Sequence, residues 1–275
     1  MLILAGTSIG QVSDVSRRLG PALSSADVIA AEDTRRLARL TSELGVETRG
    51  RVVSFFEGNE QSRTSELVDL LRVGYSVVLV TDAGMPSISD PGYRLVSEAV
   101  EAGIEVSVIP GPSAVLTALA ISGLPVDRFT FEGFLPRKPS ARDRFLKDVA
   151  EEQRTLVFFE SPHRTEATLR AMRTVFGPER RAVVCRELTK TYEEVVRGTT
   201  HDLVVWVEGL EQGVRGEVTL VVEGAAPTEV ELNPEVLADL VDRAEATGLS
   251  RKDAIAAVAQ STGAPKNLVY DAAHA

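Results

Sequence analysis

Short β-branched runs that stop abruptly in Gly- and Pro-rich polar loops constrain this chain more than any other feature. The clearest reads SVVLVTDAGMPSISDPG, from Ser76 to Gly92. Ser76 to Val80 form the apolar run, and Thr81 and Asp82 end it. Gly84, Pro86, Pro91 and Gly92 follow, with hydroxyls at Ser87 and Ser89 between them. An apolar run closed in this way reads as a buried parallel strand. Open α/β sheets bind ligands at the carboxyl ends of such strands. Glycine lets backbone approach a ligand closely, and Asp82 is placed to accept hydrogen bonds from a hydroxyl or an ammonium. The competing reading is a tight connection whose Asp caps the next helix.

The pattern recurs along the chain. Leu2 to Leu4, Val28 to Ala31, Val52 to Ser54, Ser76 to Val80 and Glu105 to Ile109 read as strands. Amphipathic stretches at 12–23, 34–43, 60–73 and 92–102 read as the helices between them, and Gly103 sits at a helix C-terminus. This alternation is the βαβ pattern of a mostly parallel sheet. A second α/β unit begins after Pro110-Gly111-Pro112. Its strands are Phe129 to Gly133, Thr155 to Phe159, Ala182 to Cys185, Glu194 to Gly198 and Val218 to Glu223. The last of these lack long intervening helices, which predicts a mixed sheet.

An acidic, Pro-containing linker at 224–234 precedes a small helical tail. In the tail Pro234 to Thr247 is amphipathic, Ser250 caps a second helix with Asp253 three residues on, and Gly263 ends it. Pro265 opens a third helix over Asn267 to Ala273. The tail resembles a helix-turn-helix. The expected domains are therefore 1–112 and 113–226, both α/β, and 232–275, helical.

Composition narrows the function classes. Of 275 residues, 44% are apolar and 25% charged, ordinary for a globular protein with a real core. No apolar stretch reaches the roughly 18 residues of a membrane span, and no secretory leader is evident. Cys185 is the one cysteine, so no internal disulfide forms and a cytoplasmic protein is expected. Histidines at 163, 201 and 274 are too scattered to predict a metal site. A net charge of −10 argues against a general nucleic-acid binder. However, Arg137, Lys138, Arg142, Arg144 and Lys147 crowd the segment PRKPSARDRFLK against Asp143 alone. That run is either a local RNA-binding surface or a solvated helix face.

Other strand ends carry chemistry too. Gly6-Thr7-Ser8-Ile9-Gly10 can present backbone N–H groups to a ligand, but lacks the third glycine of a dinucleotide fingerprint. Ala31-Glu32-Asp33-Thr34-Arg35 packs two carboxylates, a hydroxyl and a guanidinium together, with Asp33 or Thr34 also suited to cap the next helix. Ser113 follows a rigid Pro-Gly-Pro turn. Glu160-Ser161-Pro162-His163-Arg164 and Arg186-Glu187-Leu188-Thr189-Lys190 repeat the strand-then-polar-loop pattern in the second half.

In this order, AGTSIGQ, AAEDTR, VTDAGMPSISDPG, PGPSA, EGFLPRK, FFESPHR and CRELTK closely resemble the tetrapyrrole methylase superfamily. Within it they are similar to the branch that methylates small-subunit ribosomal RNA. The resemblance implies two α/β domains with S-adenosylmethionine in the cleft between them, a small helical C-terminal domain and a homodimer. It implies 2′-O-methylation of a cytidine in the decoding centre of 16S rRNA. It places Asp82, Ala83, Gly84 and Met85 against the cofactor, with Ser113 and Ala114 from the next loop. Phe159 and Cys185 would close over it, and Glu217 or Val218 would touch the adenine. The chain departs from the family pattern at Ser8 and Gln11, where ATPIGN is usual, and at Phe56-Glu57-Gly58-Asn59-Glu60, where a His is missing.

A ribose 2′-OH is a weak acid, so a base or a positive neighbour should assist transfer. Glu32 and Asp33 are candidates for proton acceptance, and Lys138, Lys190 or Arg35 for the phosphate and the developing alkoxide. His163 is a further candidate. Arg137, Lys138, Arg142 and Arg144 are the expected phosphate contacts on RNA. The alternatives are a small-molecule tetrapyrrole methylase, which needs neither the basic run nor the tail, and a non-enzymatic nucleic-acid-binding regulator led by the tail.

Overall fold

A computed structural model describes residues 1–226 and 233–274. The central residues of the expected linker, 227–232, lie outside the described residues. Contacts divide the chain into two compact units, Met1–Ala225 and Ala226–Ala275.

The larger unit holds two five-stranded sheets. The first is built from β1 (Leu2–Ala5), α1 (Leu19–Ser25), β2 (Val28–Ala31), α2 (Thr34–Leu44), β3 (Arg51–Ser54), α3 (Glu60–Arg72), β4 (Val77–Val80), α4 (Tyr93–Glu101) and β5 (Val106–Ile109). Its order is β3-β2-β4-β1-β5 and every pairing is parallel. β2 and β4 are buried along their whole length, as parallel strands covered on both faces must be. Alternate residues feed opposite layers. Val28, Ala30, Val77 and Leu79 pack with Leu67, Leu95 and Ala99 on one side. Ile29, Ala31, Val78 and Val80 pack with Leu19, Leu23 and Leu37 on the other. The helix expected over 12–23 is instead a 3-10 turn, Val12–Asp14, followed by α1. Pro21 explains the difference: it is tolerated in the first turn of a helix but not in its interior.

The second sheet is mixed, as expected. Its elements are α5 (Ala114–Ser122), β6 (Phe129–Phe134), α6 (Pro139–Asp148), β7 (Thr155–Glu160), α7 (Pro162–Phe176), β8 (Arg181–Arg186), β9 (Glu194–Thr199), α8 (Thr200–Glu208) and β10 (Val218–Val222). The order is β6-β7-β10-β8-β9; β6 and β7 run parallel and the other neighbours antiparallel. One face packs on α7 and α8 through Leu169, Met172, Leu203 and Val204. The other packs on α5 through Val115, Ala118 and Leu119, and Ile9 of the first half joins that layer. A helix, α8, separates β9 from β10, contrary to the sequence expectation of no long helix there. It starts at a capping box in which Thr199 Oγ1 accepts from the Asp202 N–H at 3.1 Å and Asp202 Oδ2 accepts from the Thr199 N–H at 2.9 Å.

The smaller unit contains α9 (Pro234–Ala246), α10 (Arg251–Thr262) and α11 (Lys266–Ala273) around Leu237, Val241, Ile255, Val258 and Val269. Asn233 caps α9, Ser250 caps α10, and Gly263 ends α10 at φ 69°. Among the described residues, no helix is long and apolar enough to cross a membrane.

The capping box at α8 gives a direct check. Thr199→Ala should cost about 1 kcal/mol of stability, seen as a lower denaturant midpoint at unchanged slope. An unchanged midpoint would mean that packing of Leu203 and Val204 alone holds α8.

Candidate active site

The loops after β1 and β5 touch backbone to backbone. The Gly6 N–H donates to the Ile109 carbonyl at 2.9 Å, and the Thr7 N–H to the Gly84 carbonyl at 2.8 Å. A Cβ on Gly6 would stand 2.6 Å from Gly111 Cα, and one on Gly111 2.8 Å from Gly6 Cα. Only glycine at both positions permits this approach. Two clefts open beside the junction, each of about 360 Å³. They share Ile9, Ala83 and Glu217.

One cleft is apolar. Ile9, Met85, Ile88, Val115, Phe134 and Phe159 wall it, with Ser89, Asp90 and Ser113 as polar points. Gly84, at φ 73°, keeps its wall open, the nearest atoms to an added Cβ being 3.6 Å away. Aromatic and aliphatic walls with a few hydroxyls and carboxylates suit a ligand that has an aromatic ring, hydroxyls and a positive charge. Of the residues expected at the cofactor, Ala83, Gly84, Met85, Ser113, Ala114, Phe159 and Glu217 line this cleft.

Asp82 and Cys185 are not among the residues that line it. The Asp82 carboxylate turns toward the β2 loop, where Oδ1 accepts from the Asp33 N–H at 3.1 Å and Oδ2 faces Arg36 Nε at 3.4 Å. Its own N–H donates to Glu32 Oε2 at 3.0 Å. Cys185 is wholly buried beneath the cleft among Val157, Val183 and Val221. Burial pushes its thiol pKa up to about 12, which makes it inert.

The second cleft is polar. Thr7, Ser8 and Gly10 line it with Glu32, Asp33, Arg36, Arg39, Asp82 and Lys190. Of the catalytic candidates, Glu32, Asp33 and Lys190 therefore meet there. Arg35 is almost fully exposed, with Nη2 bound to Asp33 Oδ2 at 2.6 Å. Lys138, at the start of α6, and His163, on α7, are exposed and line neither cleft.

Environment separates the two carboxylates. The Arg35 side chain and its backbone N–H hold Asp33 far below the usual carboxylate range. Burial, with the charges of Asp82 and Asp33, raises Glu32 despite its bond from the Asp82 N–H. Lys190 Nζ sits 2.8 Å from Glu187 Oε1 and 3.0 Å from Glu217 Oε2. Burial works against its charge, but those two bonds outweigh it and raise its pKa. The loop that carries Lys190 closes on the first half: the Gln11 N–H donates to Thr189 Oγ1 at 3.1 Å, and a Cβ on Gly10 would lie 2.6 Å from Lys190 Cγ.

Backbone strain collects at the same place. Among the described residues, the non-glycine residues with positive φ are Ser87, Ser89, Glu187 and Thr189. All lie in the two loops that flank the clefts. Each costs about 1–3 kcal/mol and persists only where surrounding structure holds it.

Two features were not anticipated. Glu160 and Arg164 of the FFESPHR motif form a buried network rather than a reactive pair. Glu160 accepts from Arg164 Nε at 3.0 Å, Thr168 Oγ1 at 2.7 Å and the Ser161 N–H at 2.8 Å, while Arg164 Nη2 donates to the Leu135 carbonyl at 2.6 Å. Asp90 was missed, although it stands between Ser89 and Pro91 in a loop already read as ligand-binding. Burial first, then the charges of Glu32, Asp82 and Glu217, raise it to about 7, against the neighbouring Thr81 hydroxyl. Among the described residues, no group of His, Cys, Asp or Glu is arranged to hold a metal ion.

The family of tetrapyrrole (corrin/porphyrin) methylases matches residues 1–204. This chain belongs to that family. A Mycobacterium tuberculosis protein (strain CDC 1551 / Oshkosh) named ribosomal RNA small subunit methyltransferase I is 50% identical over 272 residues, covering 98% of this chain and 93% of the relative. A Halalkalibacterium halodurans protein of the same name is 43% identical over 277 residues, covering 99% and 94%. Among solved structures, a diphthine synthase superposes with a TM-score of 0.60 at 17% identity, covering 81% of this chain and 89% of that one. A Thermus thermophilus uroporphyrin-III C-methyltransferase complexed with S-adenyl homocysteine gives 0.55 at 19% identity, covering 81% and 96%. At such identities the likeness shows the fold. In this tetrapyrrole methylase, β10 and Glu217, where the two clefts meet, lie beyond the matched residues.

Asp90 predicts a pH dependence. Between roughly pH 4 and 7 the folded protein keeps a proton that the unfolded chain has released, so stability falls as pH rises through that window. Asp90→Asn should therefore melt above the parent protein at pH 8, and the gap should close near pH 4. Thermal melts at both pH values decide it; an equal gap would contradict the assignment.

Proposed function

We propose that this protein transfers a methyl group from S-adenosylmethionine to the ribose 2′-oxygen of a cytidine in the decoding centre of 16S rRNA. The observation that carries the reading is the meeting of an apolar and a polar cleft at Ile9, Ala83 and Glu217. A cofactor and a polar nucleophile held on opposite sides of that seam are brought together, and positioning is worth roughly 7–11 kcal/mol in favourable cases. The names of the relatives at 50% and 43% identity support rRNA as the substrate class.

The residues of the apolar cleft fit the cofactor. Met85, Ala114, Phe134 and Phe159 offer an apolar seat for an adenine, and Ser113 has a hydroxyl beside it. Asp90 and Glu217 add carboxylates to a mostly apolar wall, which favours a cationic ligand. When bound, S-adenosylmethionine supplies an activated methyl group on its sulfonium. The polar cleft takes the target nucleotide. Glu32 accepts the proton of the 2′-OH, because its raised pKa lies nearer the working pH than that of Asp33, which is committed to Arg35. Lys190, charged and held by two carboxylates, stabilises the developing alkoxide. Arg36 and Arg39 line the same cleft and suit phosphates. Arg137 and Lys138, just before α6 and soon after Phe134 of the apolar cleft, and Arg144 within α6 are exposed and extend the phosphate surface. Arg142 is half-buried and pairs with Asp143 at 3.3 Å, so its share is smaller. On the family resemblance, the protein acts as a homodimer in the cytoplasm, with the small ribosomal subunit as partner.

The deciding experiment is transfer of labelled methyl to small subunits from a strain without this protein, followed by nucleotide mapping. Label on a 2′-O-methylcytidine of the decoding region is expected. Label on a tetrapyrrole and none on subunits would overturn the reading in favour of a small-molecule methylase.

Two variant predictions accompany it. Glu32→Gln should lower kcat by about a hundredfold or more with cofactor affinity unchanged, whereas Asp33→Asn should cost far less; the reverse order would reassign the base. Arg137→Ala with Lys138→Ala should flatten the log–log salt dependence of RNA binding by about 1.4–1.8. An unchanged slope would make the basic run a solvated surface.

A further inference from the structure

The helical unit holds a cavity of about 180 Å³ between α10 and α11, lined by Arg251, Lys252, Ile255, Lys266, Tyr270 and His274. Its aromatic wall is preassembled. The rings of Tyr270 and His274 stack at 4.1 Å between centroids and 27° between planes. His274 Nδ1–H donates to the Tyr270 carbonyl at 2.7 Å, which fixes the ring, and among the described residues Nε2 has no hydrogen-bond partner. Tyr270 is 54% exposed and lines the cavity.

The cations divide in role. Arg251 is spent on structure: Nη1 pairs with Glu245 Oε2 at 2.6 Å, and Nη2 donates to the Ala273 carbonyl at the end of α11. Lys252 and Lys266 are exposed and, among the described residues, make no ion pair. The helix that packs beneath them, α9, carries Glu235, Asp239, Asp242 and Glu245. A general electrostatic patch would not be built on so acidic a support. Two ammonium groups beside an exposed aromatic ring instead match the demands of one nucleotide: a phosphate for the lysines and a base for the ring.

We propose that this cavity binds an unstacked nucleotide of single-stranded RNA, its base on the Tyr270–His274 stack and its phosphate between Lys252 and Lys266. The site lies in a different unit from the two clefts and gives the enzyme a second hold on the RNA that the function proposed above requires. The identity of the RNA rests on that reading; the stacking site itself does not.

The test uses the full-length protein and two labelled probes, poly(U) and an RNA fragment carrying the decoding region. Tyr270→Ala should weaken binding to both by about five- to a hundredfold, the range for loss of one stacked base. Tyr270→Phe should restore it, because the ring remains. Lys252→Ala with Lys266→Ala should weaken binding and flatten its salt dependence. Affinity for S-adenosylmethionine should be unchanged in all of them. Equal RNA affinity for Tyr270→Ala and the parent protein, or equal losses for Tyr270→Ala and Tyr270→Phe, would overturn the proposal, as would a parent protein that binds neither probe. Methylation of a tetrapyrrole with intact Tyr270-dependent poly(U) binding would overturn the substrate reading and leave this site standing.

Discussion

The contact of Gly6 with Gly111 is the constraint on which the site depends. Here β1 and β5 are neighbours in the sheet and their loops meet through bare backbone, closer than any Cβ would allow. The Thr7–Gly10 segment is thereby directed to one side and the Ser113–Val115 segment to the other. Each becomes the wall of a separate cleft, and Ile9 alone of these residues reaches both. The second sheet then closes the arrangement through the Thr189–Lys190 loop, which packs on Gly10 with the same absence of clearance. Strained serines after β4 and strained residues after β8 fit this picture, since rigid surroundings are what such conformations need.

The charges around the clefts are sorted by what each already binds. Asp82 and Glu32 exchange hydrogen bonds with the backbone between β2 and β4, and Asp33 is held by Arg35. Glu160 is wholly enclosed by Arg164, Thr168 and the Ser161 N–H. A carboxylate whose lone pairs are filled by strong donors makes a poor base. Glu32, with one backbone bond and a raised pKa, keeps capacity to take a proton, as does Asp90 in the neighbouring wall. On the proposed function, the chemistry therefore rests on few groups in a crowd of acids and bases.

Much of this was legible from residues alone. Short apolar strands ending in Gly- and Pro-rich loops were enough for the parallel sheet, and the run after β4 lines the apolar cleft. Asp33, Ser250 and Gly263 stand where their cap chemistry puts them. What escaped was orientation. Along β8, Ala182 and Val184 face α7 and α8 while Val183 and Cys185 face α5. Nothing in a run of buried residues says which parity faces the cleft; Cys185 lies on the α5 side with Val115 and Phe159, but wholly buried. A side chain at a strand end can turn to either neighbouring loop, and that of Asp82 turns toward the loop after β2. HDLVVWVE was not read as α8, since a short apolar run is ambiguous between strand and helix, although Thr199 and Asp202 already spelled its capping box.

The division of the site into a cofactor side and a substrate side is tested most directly by a crystal structure with S-adenosylhomocysteine bound. The account predicts the ligand in the apolar cleft, in contact with Met85, Ala114 and Phe159, with the polar cleft of Glu32 and Lys190 left open for the nucleotide. Ligand density among Arg36, Arg39 and Glu43 instead would contradict it.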